Sequence, residues 1–344
     1  MNQKRIADYG IRIGTMPKGA LNKITDVKGV KVGHSTIKTD KYRTGCTVII
    51  PSEQNVYDNK LVSAVYVQNG YGKTCGTVQI GELGTIETPI ALTNTLNVGI
   101  VADAMVEYTV KRCREEGSNP CSVNAVVGEC NDAHFNTIID RPVTKENVFE
   151  AIADAREDFE EGDVGAGTGT WCYGFKGGIG SASRMVSIGG KDFTLGVLVQ
   201  SNYGSTADLM VDGKHLDEEI IQKINGSECD KGSIMIILAT DIPLTARQLK
   251  RVVKRCSIGI ARLGSYIGHG SGEVFIGFST ANVIREGSEL MSIDCISDNV
   301  IDRVFRAAGE ASEEAILNSM VCASAVRALD GNLVHSLAEY MEMR

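Results

Sequence analysis

The chain has 344 residues, of which 43% are hydrophobic and 23% are charged, and its formal net charge is −8. This composition is typical of a globular protein with a sizeable core. The acidic balance, with a pI near 5.3, argues against nucleic acid and anionic membrane surfaces as partners, because both would repel it. No apolar run approaches the length of a membrane span and no signal-peptide pattern opens the chain, so we expect a cytoplasmic protein.

The first half of the chain predicts short strands and two helices. β-Branched runs bounded by glycine, proline and asparagine predict strands at residues 30–34, 46–51, 61–67 and 123–128. Apolar residues at helical spacing predict a helix over residues 97–116, which Gly117 terminates, and a second helix over residues 145–161, which Gly162 terminates.

Residues 165–184 are rich in glycine and could be mistaken for a nucleotide-binding loop. Their spacing fits neither GxGxxG nor GxxxxGK[ST], and no helix-forming run follows them. The segment therefore favours close packing of strands, or a loop that lines a substrate site, over phosphate binding. A further strand is predicted at residues 195–202.

Gly232 and Ser233 precede an apolar run that predicts a buried strand ending near Asp241. Cleavage of the peptide bond between them would free an α-amine beside the Ser233 hydroxyl, so that a nucleophile and its base would share one residue. An α-amine titrates at about 7.7–8.0 and is well placed for general-base work. Glycine suits the position before a cut because it lacks a Cβ and tolerates strained backbone. By itself, Gly-Ser before a strand is more often an ordinary turn.

The second half predicts a helix after Pro243, with Thr245 and Gln248 as a capping box. Residues 270–279 predict a loop that continues into a strand. Residues 299–322 predict a long helix, and the end of the chain predicts a short helix. Strands dominate the middle and helices the flanks, so we predict an α+β sandwich. The absence of repeats and linker-like tracts predicts a single domain over residues 1–344.

The ten cysteines and five histidines are scattered along the chain. They form no CxxC, HxH or HExxH pattern, and a disulfide framework belongs to short secreted chains. We therefore expect free thiols in a reducing compartment, no metal and no cofactor.

Seven segments of the chain form a recognisable series, namely NKITDVKGVKVGH at 22–34, PIALTNT at 89–95, GTG at 167–169, FKGGIG at 175–180, ATD at 239–241, QLK at 248–250 and FSTAN at 278–282. In sequence and in order they resemble the L-aminopeptidase/D-amidase-esterase family, which includes the β-peptidyl aminopeptidases. The resemblance implies a self-cleaving precursor with an αββα sandwich like that of N-terminal-nucleophile hydrolases but with different connectivity. The cut between Gly232 and Ser233 would give an α piece (1–232) and a β piece (233–344).

The resemblance also implies roles for individual residues. Ser233 stands at the nucleophile position, and Ser271 and Glu273 match the loop serine and nearby carboxylate that assist it. Asn202 matches the asparagine that stabilises the oxyanion, and Glu129 matches the acid that meets the substrate's α-ammonium. From the residues alone, the last four are more often a loop serine, a surface carboxylate, a turn cap and an ion-pair partner.

The chain departs from the family pattern at three places. Asn131 stands where some members carry an aromatic residue, often tyrosine, whose phenol supports the oxyanion. Lys73 stands where an acidic residue is expected, and residues 171–173 differ from the usual pattern. All of these could line the specificity pocket.

The leading interpretation is a serine aminopeptidase that acts on short peptides, amino-acid amides or esters. An acyltransferase like the ornithine acetyltransferases is an alternative, although those enzymes use threonine at the cut. An uncleaved binding protein is the non-enzymatic alternative. Family resemblance further implies a homo-oligomer, a tetramer of αβ units, and the apolar strand at residues 65–67 that runs into the glycine-rich loop at 69–76 is compatible with an interface.

Overall fold

The computed structural model describes residues 3–218, 231–285, 287 and 289–343. The strands are β1 (Lys31–Lys38), β2 (Arg43–Ile50), β3 (Lys60–Gly70), β4 (Thr85–Ile86), β5 (Ile90–Asn94), β6 (Val126–Cys130), β7 (Trp171–Cys172), β8 (Phe175–Lys176), β9 (Ile179–Ile188), β10 (Lys191–Asn202), β11 (Met210–Val211), β12 (Lys214–His215), β13 (Gly232–Thr240), β14 (Ser271–Ile284), β15 (Val326–Arg327) and β16 (Leu333–Val334). The helices are α1 (Thr77–Leu83), α2 (Val98–Glu115), α3 (Lys145–Ala153), α4 (Ala246–Val253), α5 (Ser257–Arg262), α6 (Asp302–Val321) and α7 (Leu337–Met343).

Two sheets form the centre of the molecule. One has four strands in the order β1-β2-β5-β6, and the other has six in the order β4-β3-β14-β13-β10-β9. In the larger sheet β13 runs parallel to β14 and antiparallel to β10. β13 is therefore an inner strand, and its first residues lie between the end of β10 and the start of β14.

The side chains of β13 alternate between two cores, as the period of a strand requires. Met235 and Ile237 belong to a core shared with the four-stranded sheet, which we call the inter-sheet core. Ile234 and Ile236 belong to a core shared with helices. Because both faces of the strand are buried, its sequence reads as a continuous apolar run.

Helices cover the outer face of each sheet. Val101 and Met105 of α2 and Val148 of α3 pack on the four-stranded sheet. Leu249 of α4 and Ala311 of α6 pack on the six-stranded sheet. The four layers confirm the predicted α+β sandwich of αββα type. The Thr245 cap is also present, since Gln248 N donates to Thr245 Oγ1 at 3.2 Å.

The helix predicted over residues 145–161 was too long, because it ends at Ala153. Past that point the chain is held by tertiary contacts that a helix could not make. Arg156 N donates to Val32 O at 3.0 Å, and Lys23 Nζ donates to Asp158 Oδ1 at 2.6 Å. The strand predicted at 123–128 begins instead at Val126 and continues to Cys130.

The glycine-rich segment forms the β7–β8 hairpin and the start of β9 rather than one continuous loop. At Gly180 a Cβ would lie 2.0 Å from Ala315 O of α6, so the absence of a side chain lets the sheet and the helix approach closely. Close packing is thus one reason for a glycine here, although its partner is a helix rather than the neighbouring strand that the sequence predicted.

Nine cysteines lie in the described part of the chain and all are free thiols, whereas Cys229 lies outside it. Across the described ranges, no His, Cys, Asp and Glu side chains are grouped as metal ligands would be. Of the helices in those ranges, none combines the length and the apolar character needed to cross a membrane.

Candidate active site

Ser233, the expected nucleophile, is the second residue of β13 and is 4% exposed. It pairs with Asn202, the last residue of β10, on one side and with Gly272 of β14 on the other. Strand alternation places it on the same face as Met235, towards the inter-sheet core. Ser233 and Asn202, two of the residues implied by the resemblance, therefore meet at one end of the six-stranded sheet.

Gly232 has a backbone conformation and surroundings that only glycine can accept. Its φ is +124°, which L residues rarely adopt. A Cβ at this position would lie 1.9 Å from Asn202 O, far inside van der Waals contact. The residue before the expected cut is therefore fixed as glycine by local geometry.

Ser271 and Glu273 are both fully buried and are joined by a hydrogen bond in which Ser271 Oγ donates to Glu273 Oε1. Ser271 was expected in a loop, but it is the first residue of β14 and pairs with Gly232. Alternation puts both side chains on the face of Phe275, towards the helices. The pair consequently flanks the Gly232–Ser233 peptide unit from the face opposite to the Ser233 side chain.

Asn202 has its amide oriented by a backbone group. Trp171 N donates to Asn202 Oδ1 at 2.9 Å. Since a backbone N–H can only donate, the atom facing it is the carbonyl oxygen, and the Nδ2 group points away as a donor.

Asn131 is oriented in the same way, because its Oδ1 accepts a hydrogen bond of 3.0 Å from Ala133 N. It lines a cleft of about 340 Å³ together with His134, Trp171, Asn202 and Gly232. The His134 and Trp171 rings stack at 4.5 Å between centroids with 10° between their planes. The cleft thus presents two amide groups and a flat aromatic wall beside the Gly232–Ser233 junction.

Glu129 is 4% exposed near the end of β6. Its Oε1 accepts a hydrogen bond of 2.9 Å from Lys73 N, and its Oε2 accepts one from Thr95 Oγ1. Both donors are neutral, so the carboxylate has no cationic partner in these contacts. It retains lone pairs that can accept hydrogen bonds from a cation.

Two contacts connect Glu129 with Ser233. The neighbouring Cys130 Sγ lies 3.5 Å from Ser233 O, and burial raises the pKa of this thiol, so it stays protonated and donates. The loop around Tyr71 supplies the second connection, because it passes close both to Gly272, which pairs with Ser233, and to Glu129. A Cβ placed on Gly272 would lie 2.6 Å from Tyr71 O, and a Cβ placed on Gly72 would lie 3.5 Å from Glu129 Oε1.

Sequence reasoning missed two supporting residues. Asn69 Nδ2 donates to the carbonyl oxygens of Gly268, His269 and Ser271, and so fixes the entry into β14. Thr95 was seen only as part of a matching segment, not as a partner of Glu129. An asparagine and a threonine next to glycine-rich or strand-end positions are too common to single out. Lys73, noted as a departure, contributes its main-chain N–H to the site.

Comparison with known proteins agrees with this architecture. The model for peptidase family S58 matches residues 22–334. The chain is 36% identical over 358 residues to the β-peptidyl aminopeptidase BapA of Sphingosinicella xenopeptidilytica, covering 97% of this chain and 88% of that one.

Two solved structures extend the comparison. A protein from Pyrococcus horikoshii OT3 is 44% identical with a TM-score of 0.91, covering 98% of each chain. The second structure is the L-aminopeptidase D-Ala-esterase/amidase of Ochrobactrum anthropi, which is described as a prototype of the serine aminopeptidases and a variant of the Ntn hydrolase fold. It is 34% identical to this chain with a TM-score of 0.90, and the match covers 98% of this chain and 96% of that one. The family match spans most of the chain, and the chain belongs to peptidase family S58, a family of hydrolases.

Proposed function

We propose that this chain is a self-processing serine aminopeptidase that releases N-terminal residues from short peptides, amino-acid amides or esters. The observation that carries the proposal is the Gly232–Ser233 junction, where a glycine with φ of +124° precedes a buried serine that pairs with Asn202. The names of the relatives, aminopeptidases in two cases, support the same reaction class.

The proposed first step is cleavage of the chain itself. Ser233 Oγ attacks the Gly232 carbonyl carbon, the C–N bond breaks, and the nitrogen takes up the proton lost by the hydroxyl. Water then hydrolyses the resulting ester, which leaves a carboxylate on Gly232 and restores the hydroxyl of Ser233. Residues 1–232 and 233–344 stay associated, because β13 remains an inner strand of the sheet.

In turnover, the free α-amine of Ser233 accepts the hydroxyl proton while Oγ attacks the substrate carbonyl. The amide Nδ2 of Asn202 donates to the developing oxyanion, a contact worth about 2.7–4 kcal/mol for a comparable donor. Asn131, whose oxygen is also held by a backbone N–H, serves as a second donor in place of the phenol that some relatives carry. Ser271 and Glu273 assist from the main-chain side of Ser233.

Glu129 binds the α-ammonium of the substrate in this proposal. We expect N-acetylated amides to be hydrolysed about 100-fold more slowly than the free amines, because acetylation removes the charge that pairs with the carboxylate. Kinetics of matched free and acetylated substrates measure this ratio. Glu129→Gln should raise KM for the free amine and reduce the discrimination.

The matched control is Glu150→Gln, a surface carboxylate that hydrogen-bonds Ser35 Oγ and has no part in the site. Equal kcat/KM for free and acetylated substrates in the wild type would contradict the role of Glu129.

We also propose that αβ units assemble into a homo-oligomer, a tetramer, in the cytoplasm. Apolar side chains near the β3–α1 connection are unusually exposed, namely Val67 at 49%, Tyr71 at 61%, Val78 at 85% and Leu83 at 67%. Such clusters mark interfaces, and the free cysteines suit a reducing compartment. Light scattering is expected to give a multiple of 36.9 kDa. A fully active species of that single mass would contradict the assembly.

A further inference from the structure

Lys176 is a fully buried lysine in the β7–β8 hairpin, opposite Trp171. Its Nζ donates to three main-chain carbonyl oxygens, those of Gly167 at 3.0 Å, Thr170 at 2.8 Å and Gly177 at 2.8 Å. Within the described part of the chain no carboxylate lies within ion-pair distance of it. Burying an ammonium in this way is costly unless its donors are all satisfied.

The three acceptors favour the charged form of the side chain. An ammonium has three protons to donate, whereas a neutral amine has only two. Burial lowers the pKa of Lys176 to about 7, and the three carbonyls act in the opposite direction by favouring the charged form. Of the charged groups around it, Asp163 and Asp132 also favour that form, and Lys38 and Arg43 oppose it.

One peptide group connects this ammonium to Asn202. The carbonyl of Thr170 accepts from Lys176 Nζ, and the N–H of Trp171, which belongs to the same planar peptide unit, donates to Asn202 Oδ1 at 2.9 Å. A cation on the oxygen side of an amide polarises it and strengthens donation by its N–H. The same polarisation passes through the Asn202 amide and makes its Nδ2 a better donor.

The hairpin has other contacts that would hold it without the lysine. Gly177 N donates to Thr170 O at 3.0 Å, and Tyr173 N donates to Tyr203 O at 2.8 Å. Folding of the hairpin therefore does not by itself account for a buried ammonium. What Lys176 adds is a fixed and polarised Thr170–Trp171 peptide.

We propose that Lys176 is a positioning residue that orients and polarises the Asn202 amide through the Thr170–Trp171 peptide group. The inference rests on the proposed function, since it concerns the donor assigned to the oxyanion. Lys176 does not touch the substrate, and its effect is exerted on the transition state, where the oxyanion forms. It should therefore change kcat and leave KM nearly constant.

The test is a double-mutant cycle with Lys176→Met, which removes the charge and keeps the length, and Asn202→Ala. Rates are expressed per mole of cleaved chain, and the first-order rate of self-cleavage is a second readout. Lys176→Met alone is expected to lower kcat about 10- to 100-fold with KM within about twofold. In the Asn202→Ala background the same change should cost less than about threefold, because the amide it acts on is gone.

Lys23→Met is the matched control. Lys23 is also buried, and its Nζ also donates to a main-chain carbonyl, that of Phe159 at 2.5 Å. Both Lys23 and Phe159 are far from Asn202 in the sequence. The control variant should leave kcat unchanged. Circular dichroism verifies that each variant is folded. If Lys176→Met is not recovered in folded form, Lys176→Gln, whose side-chain amide keeps two N–H donors, replaces it in the same cycle. Unchanged kcat, or equal losses in both backgrounds, would overturn the inference while wild-type hydrolysis still upheld the proposed function.

Discussion

Replacement of Ser233 by alanine is expected to leave the chain as a single species of 36.9 kDa and to lower hydrolysis of amino-acid amides by about 10⁴-fold or more. The change removes the hydroxyl that we propose attacks both the Gly232 carbonyl and the substrate, so self-cleavage and turnover should fail together. Denaturing mass spectrometry of freshly purified wild type should instead show two fragments that meet at the Gly232–Ser233 bond.

Ser201→Ala is the matched control for this experiment. Ser201 is a buried serine one residue before Asn202, and its Oγ lies 2.7 Å from Ser319 Oγ, away from the junction. This variant should cleave and turn over normally. If wild-type chains stay intact under native expression and Ser233→Ala behaves as they do, self-processing is refuted and the binding-protein alternative gains support.

Gly232→Ala offers an independent view of the same step. With φ at +124° and Asn202 O only 1.9 Å from a Cβ position, alanine cannot keep the native backbone. The junction must shift out of register with Asn202, so this variant too should remain uncut although the hydroxyl is present.

The central strand shows what local pattern can predict. The apolar run after Ser233 indicated a buried strand, and it is one, because both faces of β13 meet apolar layers. The long helix predicted near the C-terminus is present as Asp302–Val321, since its apolar positions follow a period that depends only on nearby residues.

Predictions were wrong where distant contacts outweigh local preference. Helical periodicity after Lys145 extends beyond Ala153, but the chain leaves the helix there to pair Arg156 with Val32 of β1. Ser271 stands between two glycines, which is typical of a loop, yet pairing with β13 makes it part of a strand. Neither partner is close in sequence.

The candidate site was predicted as a set of residues but not as a geometry. Ser233, Asn202 and Ser271 came from the roles that the family resemblance implied at their positions, and the strand register brings them together. The orientation of Asn202 depends on Trp171, 31 residues away, and that of Glu129 on Lys73, 56 residues away. No periodicity or spacing encodes such contacts, so they emerge only from the fold.

Ser271→Ala and Glu273→Gln are each expected to lower kcat by about 10²-fold or more while the fold stays intact. Ser271 Oγ donates to Glu273 Oε1, so both of its lone pairs are left to accept a hydrogen bond. In the proposed mechanism the α-amine of Ser233 donates that hydrogen bond, and either change would break this chain of contacts. The double variant should consequently be about as slow as the slower single one, since residues that act as a unit are not additive.

Glu273→Gln should also move the acidic limb of the kcat/KM profile to lower pH. A buried carboxylate stabilises a nearby ammonium, so its removal lowers the pKa of the α-amine, and the amine becomes a free base at lower pH. Ser279→Ala is the control, because this buried serine lies on the same strand and binds Ile242 O at 2.7 Å, at the far end of the sheet. It should alter neither kcat nor the profile. Additive losses in the double variant, with an unmoved acidic limb, would show that Ser271 and Glu273 do not act together on the amine.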